Sequence, residues 1–239
     1  MIQSVERAIA ILRCFEDKEA LGVTEISEQL GLHKSTCFGL INTLKKEKLL
    51  QQEDNGRLRL GIGLFHLGNN FKVDLKEMYA PVLNDLLAST KETVNLVVRD
   101  DDSIVYIEKK ESPHSMRICT SIGKRLPLYC TATGKAILAF LQAQEIQEIL
   151  AGTKFAAYTE HTVVSGAALA EQLSMIRKEG CAYDLEELEY GLVCVAVPIL
   201  DKKDKPMGGI SVSGPSIRMT EEKRKEIKVL LMEKVMRLE

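Results

Sequence analysis

One segment, Val23 to Leu60, constrains the fold of this chain more than any other part of it. It contains a short amphipathic helix that ends near Gly31, a second helix that begins after Leu32, and a hairpin around Gly56. In the second helix, apolar residues recur at intervals of three and four, which places them on one face that packs into a core. These residues are Cys37, Leu40, Ile41 and Leu44. This order of elements is typical of a winged helix-turn-helix domain and indicates DNA binding.

The opposite face of the second helix is polar. Short hydroxyl and amide side chains next to ammonium groups suit a major groove, because base edges offer donors and acceptors while phosphates attract cations. We expect the following residues to contact DNA: Lys34, Ser35, Thr36, Phe38, Gly39, Asn42 and Lys46. The alternative interpretation is a helical hairpin with an ordinary solvated face.

The hairpin that follows is predicted from the turn Asn55-Gly56, because both residues tolerate a positive φ. Alternation along the second strand puts Arg57 and Arg59 on one side, where they are placed to bind phosphates. Leu58 and Leu60 then lie on the other side and are expected to pack against the helices.

Charge and length limit how the chain can bind DNA. A chain of 239 residues with 45% apolar content is long enough for two domains. The net charge is −2, so there is no global basic field, whereas six basic and three acidic side chains between His33 and Leu60 give a local charge of +3. A patch this modest becomes useful when two copies bind two half-sites, which predicts a homodimer or a homotetramer.

The six cysteines lie in apolar surroundings, with no Cys-x-x-Cys pair and no histidine at a zinc-like spacing. They are typical of reduced core thiols, so we expect a cytoplasmic protein with no metal and no cofactor. The chain begins with an amphipathic helix instead of a signal peptide, and no apolar run is long enough to span a bilayer. We therefore expect no membrane partner.

Residues 62–90 are predicted to form a helical linker between residues 1–61 and residues 91–239. Pro81 interrupts the second of two apolar runs in this linker. Because proline lacks a backbone donor and clashes with the preceding turn, it should kink the helix or mark the start of a new one. The linker has more apolar surface than one chain is expected to bury, which predicts a dimer contact; packing within one monomer is the alternative.

From Thr93 onward, strands mix with helices. Strands are predicted at residues 93–99, 104–108, 116–120, 193–200 and 207–213, and helices at about 133–141, 145–151 and 167–179, with a last helix capped by Thr220. An antiparallel sheet with helices outside it is an α+β domain, and it contains no dinucleotide or P-loop motif.

The last two predicted strands form a hairpin that contains a candidate ligand site. If its turn centres on residues 202–203, Cys194 lies opposite Ser211, and Leu192 lies opposite Ser213. All four residues then share one face. The serine hydroxyls either face solvent or line a polar pocket as donors to a carboxylate or carbonyl.

Three stretches give the chain a resemblance to a known family. They are residues 32–36 with 40 and 43–44, residues 126–136, and residues 184–198 followed by 211–215. Together and in this order they resemble the IclR family of bacterial transcription regulators. The resemblance implies a winged helix-turn-helix N-terminal domain, linker helices and a C-terminal α+β effector domain of GAF-like fold. It also implies a regulator whose binding to an operator is controlled by a small carboxylic or keto acid. Repression is the working prediction; activation would follow from a different operator position.

The resemblance further implies an effector site between the loop before the Gly134-Lys135-Ala136 helix and the final hairpin. It maps to Ala132, Thr133, Asp184, Cys194, Ser211 and Ser213. Backbone N–H groups at a helix start and two hydroxyls are natural donors to an anion, and Asp184 can accept from a ligand hydroxyl. Leu128, Met116 and Ile118 are candidate apolar walls, with core packing as the alternative.

Two other functions are compatible with the residues. Cys194 is the candidate nucleophile of a thiol-dependent enzyme on a GAF-like scaffold, although no motif connects it to any of the four histidines. The second alternative function is that of a DNA-binding module whose C-terminal domain serves only for dimerisation. We expect a regulator and not an enzyme.

Overall fold

The structure is a computed structural model that describes residues 2–69 and 74–235. The chain divides into two compact units, residues 1–72 and residues 73–239. Within the described residues, no helix has the length and apolar content needed to cross a bilayer.

The N-terminal unit is a helical domain with a small hairpin. Its elements are α1 (Gln3–Arg13), α2 (Val23–Leu30), α3 (Lys34–Lys46), β1 (Leu50–Gln52), β2 (Leu58–Leu60) and α4 (Ile62–Asn69). Helix α2 ends at Gly31, whose φ of 61° is a left-handed conformation that glycine adopts at low cost. This tight turn leads directly into α3, so the predicted winged helix-turn-helix is confirmed.

The C-terminal unit is built on one antiparallel sheet. Its elements are α5 (Asp74–Thr90), β3 (Thr93–Asp100), β4 (Ser103–Lys110), β5 (Arg125–Pro127), α6 (Ala132–Leu138), α7 (Ala143–Gly152), α8 (Gly166–Glu179), β6 (Ala182–Leu185), β7 (Leu192–Leu200), β8 (Pro206–Pro215) and α9 (Glu221–Val235). The strand order is β5-β4-β3-β8-β7-β6, and every neighbouring pair is antiparallel. The predicted α+β fold is confirmed.

Helices cover both faces of this sheet, as strand β7 illustrates. Val193, Val195 and Val197 belong to the apolar cluster that contains buried residues of α5 and α9. Cys194 and Ala196 belong to the cluster on the other face, with residues of α6 and α8. Because both faces of β7 are buried, its sequence is a continuous apolar run instead of an alternating one.

The strand predicted at residues 116–120 is wrong. The backbone carbonyls of Met116, Ile118 and Thr120 accept hydrogen bonds from the side chains of Arg218, Thr93 and Lys109, respectively. These bonds come from side chains and not from the backbone of a paired strand. The free edge of β4 is instead paired with β5. Strands β5 and β6 were not predicted, because three or four residues are too few to display a periodicity.

The register predicted for the β7–β8 hairpin is wrong by two residues. Cys194 pairs with Ser213, and Leu192 pairs with Pro215. One residue of this shift arises because the loop centres on Lys203 and not between residues 202 and 203. The other arises from an irregularity in the pairing between Ile199 and Leu200. Because side chains alternate with a period of two, a shift of two leaves the predicted face unchanged. The serine hydroxyls still share the face of Cys194.

The two linker helices differ in what they bury. Helix α5 continues through Pro81, so no new helix starts there. The second apolar run packs within the C-terminal unit, as the alternative interpretation held, through its buried residues Tyr79, Val82, Leu83 and Leu86. The apolar side chains of α4 are different: Ile62, Phe65 and Leu67 are exposed.

Candidate functional site

Helix α3 separates its core side from its outer side as the sequence predicts. Cys37, Ile41 and Leu44 are buried in the N-terminal core. His33 caps the helix, because its imidazole accepts a hydrogen bond from the backbone N–H of Ser35 (3.4 Å). All seven α3 residues expected to contact DNA are exposed: Lys34, Ser35, Thr36, Phe38, Gly39, Asn42 and Lys46. This polar face is therefore free to contact a ligand.

The hairpin differs from the prediction in how its leucines pack. Leu58 is buried, and its backbone exchanges two hydrogen bonds with Leu21, which covers it. Leu60 is 44% exposed, so the expectation that it packs against the helices is wrong. It lies at the end of β2, beyond the pairing with Leu21.

The two arginines of the hairpin have different partners. Arg57 donates to the carbonyl of Ala20 (2.8 Å) and forms an ion pair with Glu25 (2.9 Å), so it holds the hairpin against the start of α2. Arg59 donates to Gln51 over a long 3.4 Å and is exposed. Arg59 is thus the arginine better placed to reach a phosphate, whereas Arg57 must first leave an ion pair.

The C-terminal unit contains a small cavity of about 60 Å³ on the α6 side of its sheet. Seven of the nine residues expected to bind an effector line it: Ile118, Ala132, Thr133, Asp184, Cys194, Ser211 and Ser213. Ser211 and Ser213 are each 4% exposed, so their hydroxyls face a pocket and not solvent. The other two expected residues lie elsewhere, since Leu128 is buried in the core and Met116 is 65% exposed.

The cavity wall on the α6 side is the start of that helix. Thr131 caps α6 by accepting a hydrogen bond from the backbone N–H of Gly134 (3.2 Å). The first N–H groups of a helix have no partner within the helix, so those of Ala132 and Thr133, two residues that line the cavity, are left to bond outside α6. Position 134 requires a glycine because the backbone of Leu128 lies close to it. A Cβ at this position would lie 2.6 Å from the Cα of Leu128.

Asp184 is the buried acidic group of this cavity, and the exposed Glu189 also lines it. It is 1% exposed, and its carboxylate accepts a hydrogen bond from the backbone N–H of Glu187 (2.8 Å). Burial raises the pKa of Asp184 to about 7, and the Glu187 carboxylate adds to that shift. Behind it, the ammonium of the buried Lys135 pairs with Glu187. Asp184 therefore exchanges a proton near neutral pH, and its charge depends on what lies beside it.

The chemistry of Cys194 does not fit a nucleophile. Burial raises the pKa of its thiol, and the Asp184 carboxylate raises it further. A thiol nucleophile requires the opposite shift, from a cationic or basic neighbour. No histidine lines the cavity, and within the described residues no cluster of histidine, cysteine and carboxylate side chains is suited to a metal ion. The surroundings of Cys194 favour a neutral wall of a binding site.

Sequence reasoning missed several residues of this site. Tyr106, Lys124 and Thr131 line the cavity, and Thr120 closes it from the irregular segment before β5. Asn95 lies directly behind the serines and donates hydrogen bonds to them. The sequence does contain a signal for Asn95, which is a lone amide within the apolar run of β3. A buried polar side chain needs hydrogen-bond partners, so this amide indicates polar neighbours.

Comparisons with known proteins agree with the fold and the motifs. The model of the bacterial transcriptional regulator IclR C-terminal domain matches residues 71–238, and the IclR helix-turn-helix domain matches residues 4–54. The chain is 36% identical over 233 residues to the HTH-type transcriptional regulator KdgR of Escherichia coli (strain K12), covering 96% of this chain and 89% of KdgR. It is 32% identical over 237 residues to the transcriptional repressor IclR of the same organism, covering 97% of this chain and 86% of that protein.

Solved structures give the same result. The crystal structure of the Thermotoga maritima IclR has a TM-score of 0.79 at 31% identity, covering 100% of this chain and 98% of that one. An IclR homologue from Microbacterium hydrocarbonoxydans, complexed with 4-hydroxybenzoate, shares the fold with a TM-score of 0.81 at 20% identity, covering 98% of this chain and 99% of that one. The chain belongs to the IclR family of bacterial transcriptional regulators.

Proposed function

We propose that this regulator binds an operator through α3 and that a small carboxylic or keto acid, bound in the C-terminal cavity, controls that binding. The observation that carries the proposal is the cavity itself. It is lined by Ala132 and Thr133 at the start of α6, whose backbone N–H groups have no partner within that helix, and by Ser211 and Ser213, whose hydroxyls can donate. These donors suit an anion, and the Asp184 carboxyl, which lines the same cavity, supplies a proton-bearing or accepting group beside them.

The size of the cavity limits the ligand. About 60 Å³ suits an acid of few heavy atoms, and the apolar side chains of Ile118 and Leu192 leave room for a short aliphatic part. The homologue complexed with 4-hydroxybenzoate supports a hydroxylated carboxylic acid as the ligand class. We therefore infer a small hydroxy or keto acid, with the carboxylate at the donors and the other oxygen near Asp184.

The outer face of α3 is proposed to read the major groove. It is exposed over its full length and ends in Lys46, while the exposed Arg59 extends the basic surface onto the hairpin. Base edges are read by side chains such as Asn42, and phosphates are bound by cations. Arg57 is included in the proposed interface, although contact with DNA requires it to exchange its ion pair with Glu25.

We expect Asn42→Ala and Arg59→Ala to affect DNA binding in different ways. Loss of Asn42 should change which sequences bind, at a cost of about 1–3 kcal/mol at one position, because it removes a base contact. Loss of Arg59 should weaken binding to all sequences and reduce the salt slope by about 1, because it removes a phosphate contact. Gel-shift titrations on DNA selected from random sequence, at several salt concentrations, measure both effects.

The matched control is Arg13→Ala, which removes the same charge from the exposed end of α1, outside the proposed interface. It should bind like the wild type. The proposed groove contact would be contradicted if Asn42→Ala and Arg59→Ala bound the selected DNA with unchanged affinity, base preference and salt slope.

A homodimer is proposed because one basic patch gives weak binding. Helix α4 exposes Ile62, Phe65 and Leu67 at 56%, 65% and 65%, and apolar surface of this kind is usually covered by a partner. A second copy would place two α3 helices on two half-sites, and pairing of dimers would give a tetramer. The acid then acts by population shift: it binds one arrangement of the dimer better than another, and α4 and α5 link the two units.

A further inference from the structure

We propose that Asn95 is a specificity-determining positioning residue of the ligand cavity. It fixes the hydroxyls of Ser211 and Ser213 as hydrogen-bond donors, so that this end of the cavity accepts a carboxylate and rejects the matching carboxamide. The inference rests on the proposed function, because it concerns the same cavity. It adds the residue that sets the selectivity, although Asn95 is not itself part of the cavity wall.

Asn95 lies at the centre of the sheet, between the serines and the segment that closes the cavity. It is fully buried, and in the β3–β8 pairing it lies opposite Ser211. Its amide nitrogen donates to Ser213 (3.2 Å) and to Ser211 (3.5 Å). Its amide oxygen accepts a hydrogen bond from the hydroxyl of Thr120 (3.0 Å). Every polar group of the Asn95 side chain is thus used.

These bonds determine which way the serine hydroxyls point. A hydroxyl has one proton to donate and two lone pairs that accept. The two amide protons of Asn95 occupy a lone pair on each serine, so each serine proton must be donated elsewhere. Ser213 also has the Cys194 thiol as a hydrogen-bond partner, but sulfur is a weak acceptor that a carboxylate oxygen displaces. Both serine protons are therefore available to a ligand in the cavity.

The direction of the Asn95 amide decides the preference. With the amide turned over, its oxygen would accept both serine protons, and the serines would offer lone pairs to the cavity. Such a cavity would suit the NH₂ group of a carboxamide. In the observed direction the Thr120 hydroxyl satisfies the amide oxygen, and the cavity offers protons. A carboxylate accepts at both oxygens and cannot donate, so it matches the observed direction.

The test compares acids with amides that differ from them by one group. The probes are lactate with lactamide, glycolate with glycolamide, and pyruvate with pyruvamide, titrated into the full chain by calorimetry. The wild type should bind at least one acid on the order of 100-fold more tightly than its amide, since the wrong group leaves a buried donor unpaired. Asn95→Asp should reverse this preference, because a carboxylate at position 95 takes both serine protons.

A second variant covers the case in which Asn95→Asp does not fold. Asn95→Ala leaves the serines without a fixed direction, so the ratio of acid to amide affinity should fall by on the order of 10-fold. A structural role alone would lower both affinities together and leave the ratio unchanged. That result in either folded variant, with acid binding intact in the wild type, overturns the inference and leaves the proposed function standing. Absence of acid binding to the wild type overturns both.

Discussion

Replacing Gly134 with alanine is expected to destabilise the C-terminal unit by about 3 kcal/mol, near the upper end of what overpacking a core costs. The added Cβ would lie 2.6 Å from the Cα of Leu128 and 2.5 Å from the Thr131 hydroxyl. Backbone must move to make room, and the movement breaks the cap that starts α6. For a unit of this size the unfolding midpoint should fall by roughly 6–12 °C. Tyrosine fluorescence during heating measures it, because all six tyrosines lie in this unit.

Gly166→Ala is the matched control for this experiment. It makes the same substitution near the start of another helix of the same unit, where the added Cβ would meet side-chain atoms of Leu150 and Phe155 only at 4.0 Å. Its midpoint should stay within about 2 °C of the wild type, the usual range for a substitution without strain. Equal midpoints for the two variants would contradict the close approach assigned to Gly134.

The second large effect expected is a loss of acid binding as pH rises through 7. Burial raises the pKa of Asp184 to about 7, so the empty protein loses that proton near neutral pH. A bound carboxylate favours the protonated form, because two negative charges within one small buried cavity repel each other. The affinity for an acid such as lactate should therefore fall by about tenfold per pH unit above 7. Calorimetric titrations of the acid into the protein at pH values between about 5.5 and 8.5 measure how the affinity changes with pH.

The same shift has a defined sign for stability. The folded state binds the Asp184 proton more tightly than the unfolded state, whose carboxyl has its ordinary pKa of 3.8. The stabilisation from this group is complete below pH 3.8 and is lost as pH rises to about 7. Asp184→Asn keeps an oxygen that accepts from Glu187 and removes the titration, so its acid affinity should be independent of pH in this range. A wild-type affinity that stayed constant or rose above pH 7 would contradict the role given to Asp184.

Much of the N-terminal unit was predictable because its determinants are local. The spacing of Cys37, Ile41 and Leu44 defines the buried side of α3 by helix geometry alone. Gly31 marks the end of α2 because the left-handed turn needs it. The packing of Leu60 and the ion pair of Arg57 depend on residues about 30 or more positions away in the chain, and no local pattern contains that information.

The sheet of the C-terminal unit was predictable in its strands but not in its register. Asp201 accepts hydrogen bonds from the backbone N–H groups of Lys203 and Lys205, which makes a five-residue loop centred on Lys203 where a turn centred on residues 202–203 was expected. The alternation of residues 116–120 resembles a strand, but the edge of β4 is already paired with β5. Competition between strands for an edge is a property of the whole fold.

The ligand cavity was predictable only in part from the chain itself. Alternation in β8 places Ser211 and Ser213 on one face, and this leaves both solvent and a pocket as possibilities. The family resemblance implied that Ala132 and Asp184 belong to one site, and both residues line the same cavity. Asn95 lies 116 residues from Ser211 in the chain, so its hydrogen bonds to the serines follow from strand order and not from any motif.

The most direct test of the account is a DNA titration with and without the acid. The full chain is titrated by fluorescence anisotropy onto the duplex selected from random sequence, in the presence of the acid that binds best and, separately, of its carboxamide. The acid should change the DNA affinity by on the order of 5-fold or more, the lower end of ordinary coupling between two sites, while the carboxamide should have no effect. An acid that binds the protein and leaves the DNA affinity unchanged would contradict the central claim that this cavity controls DNA binding.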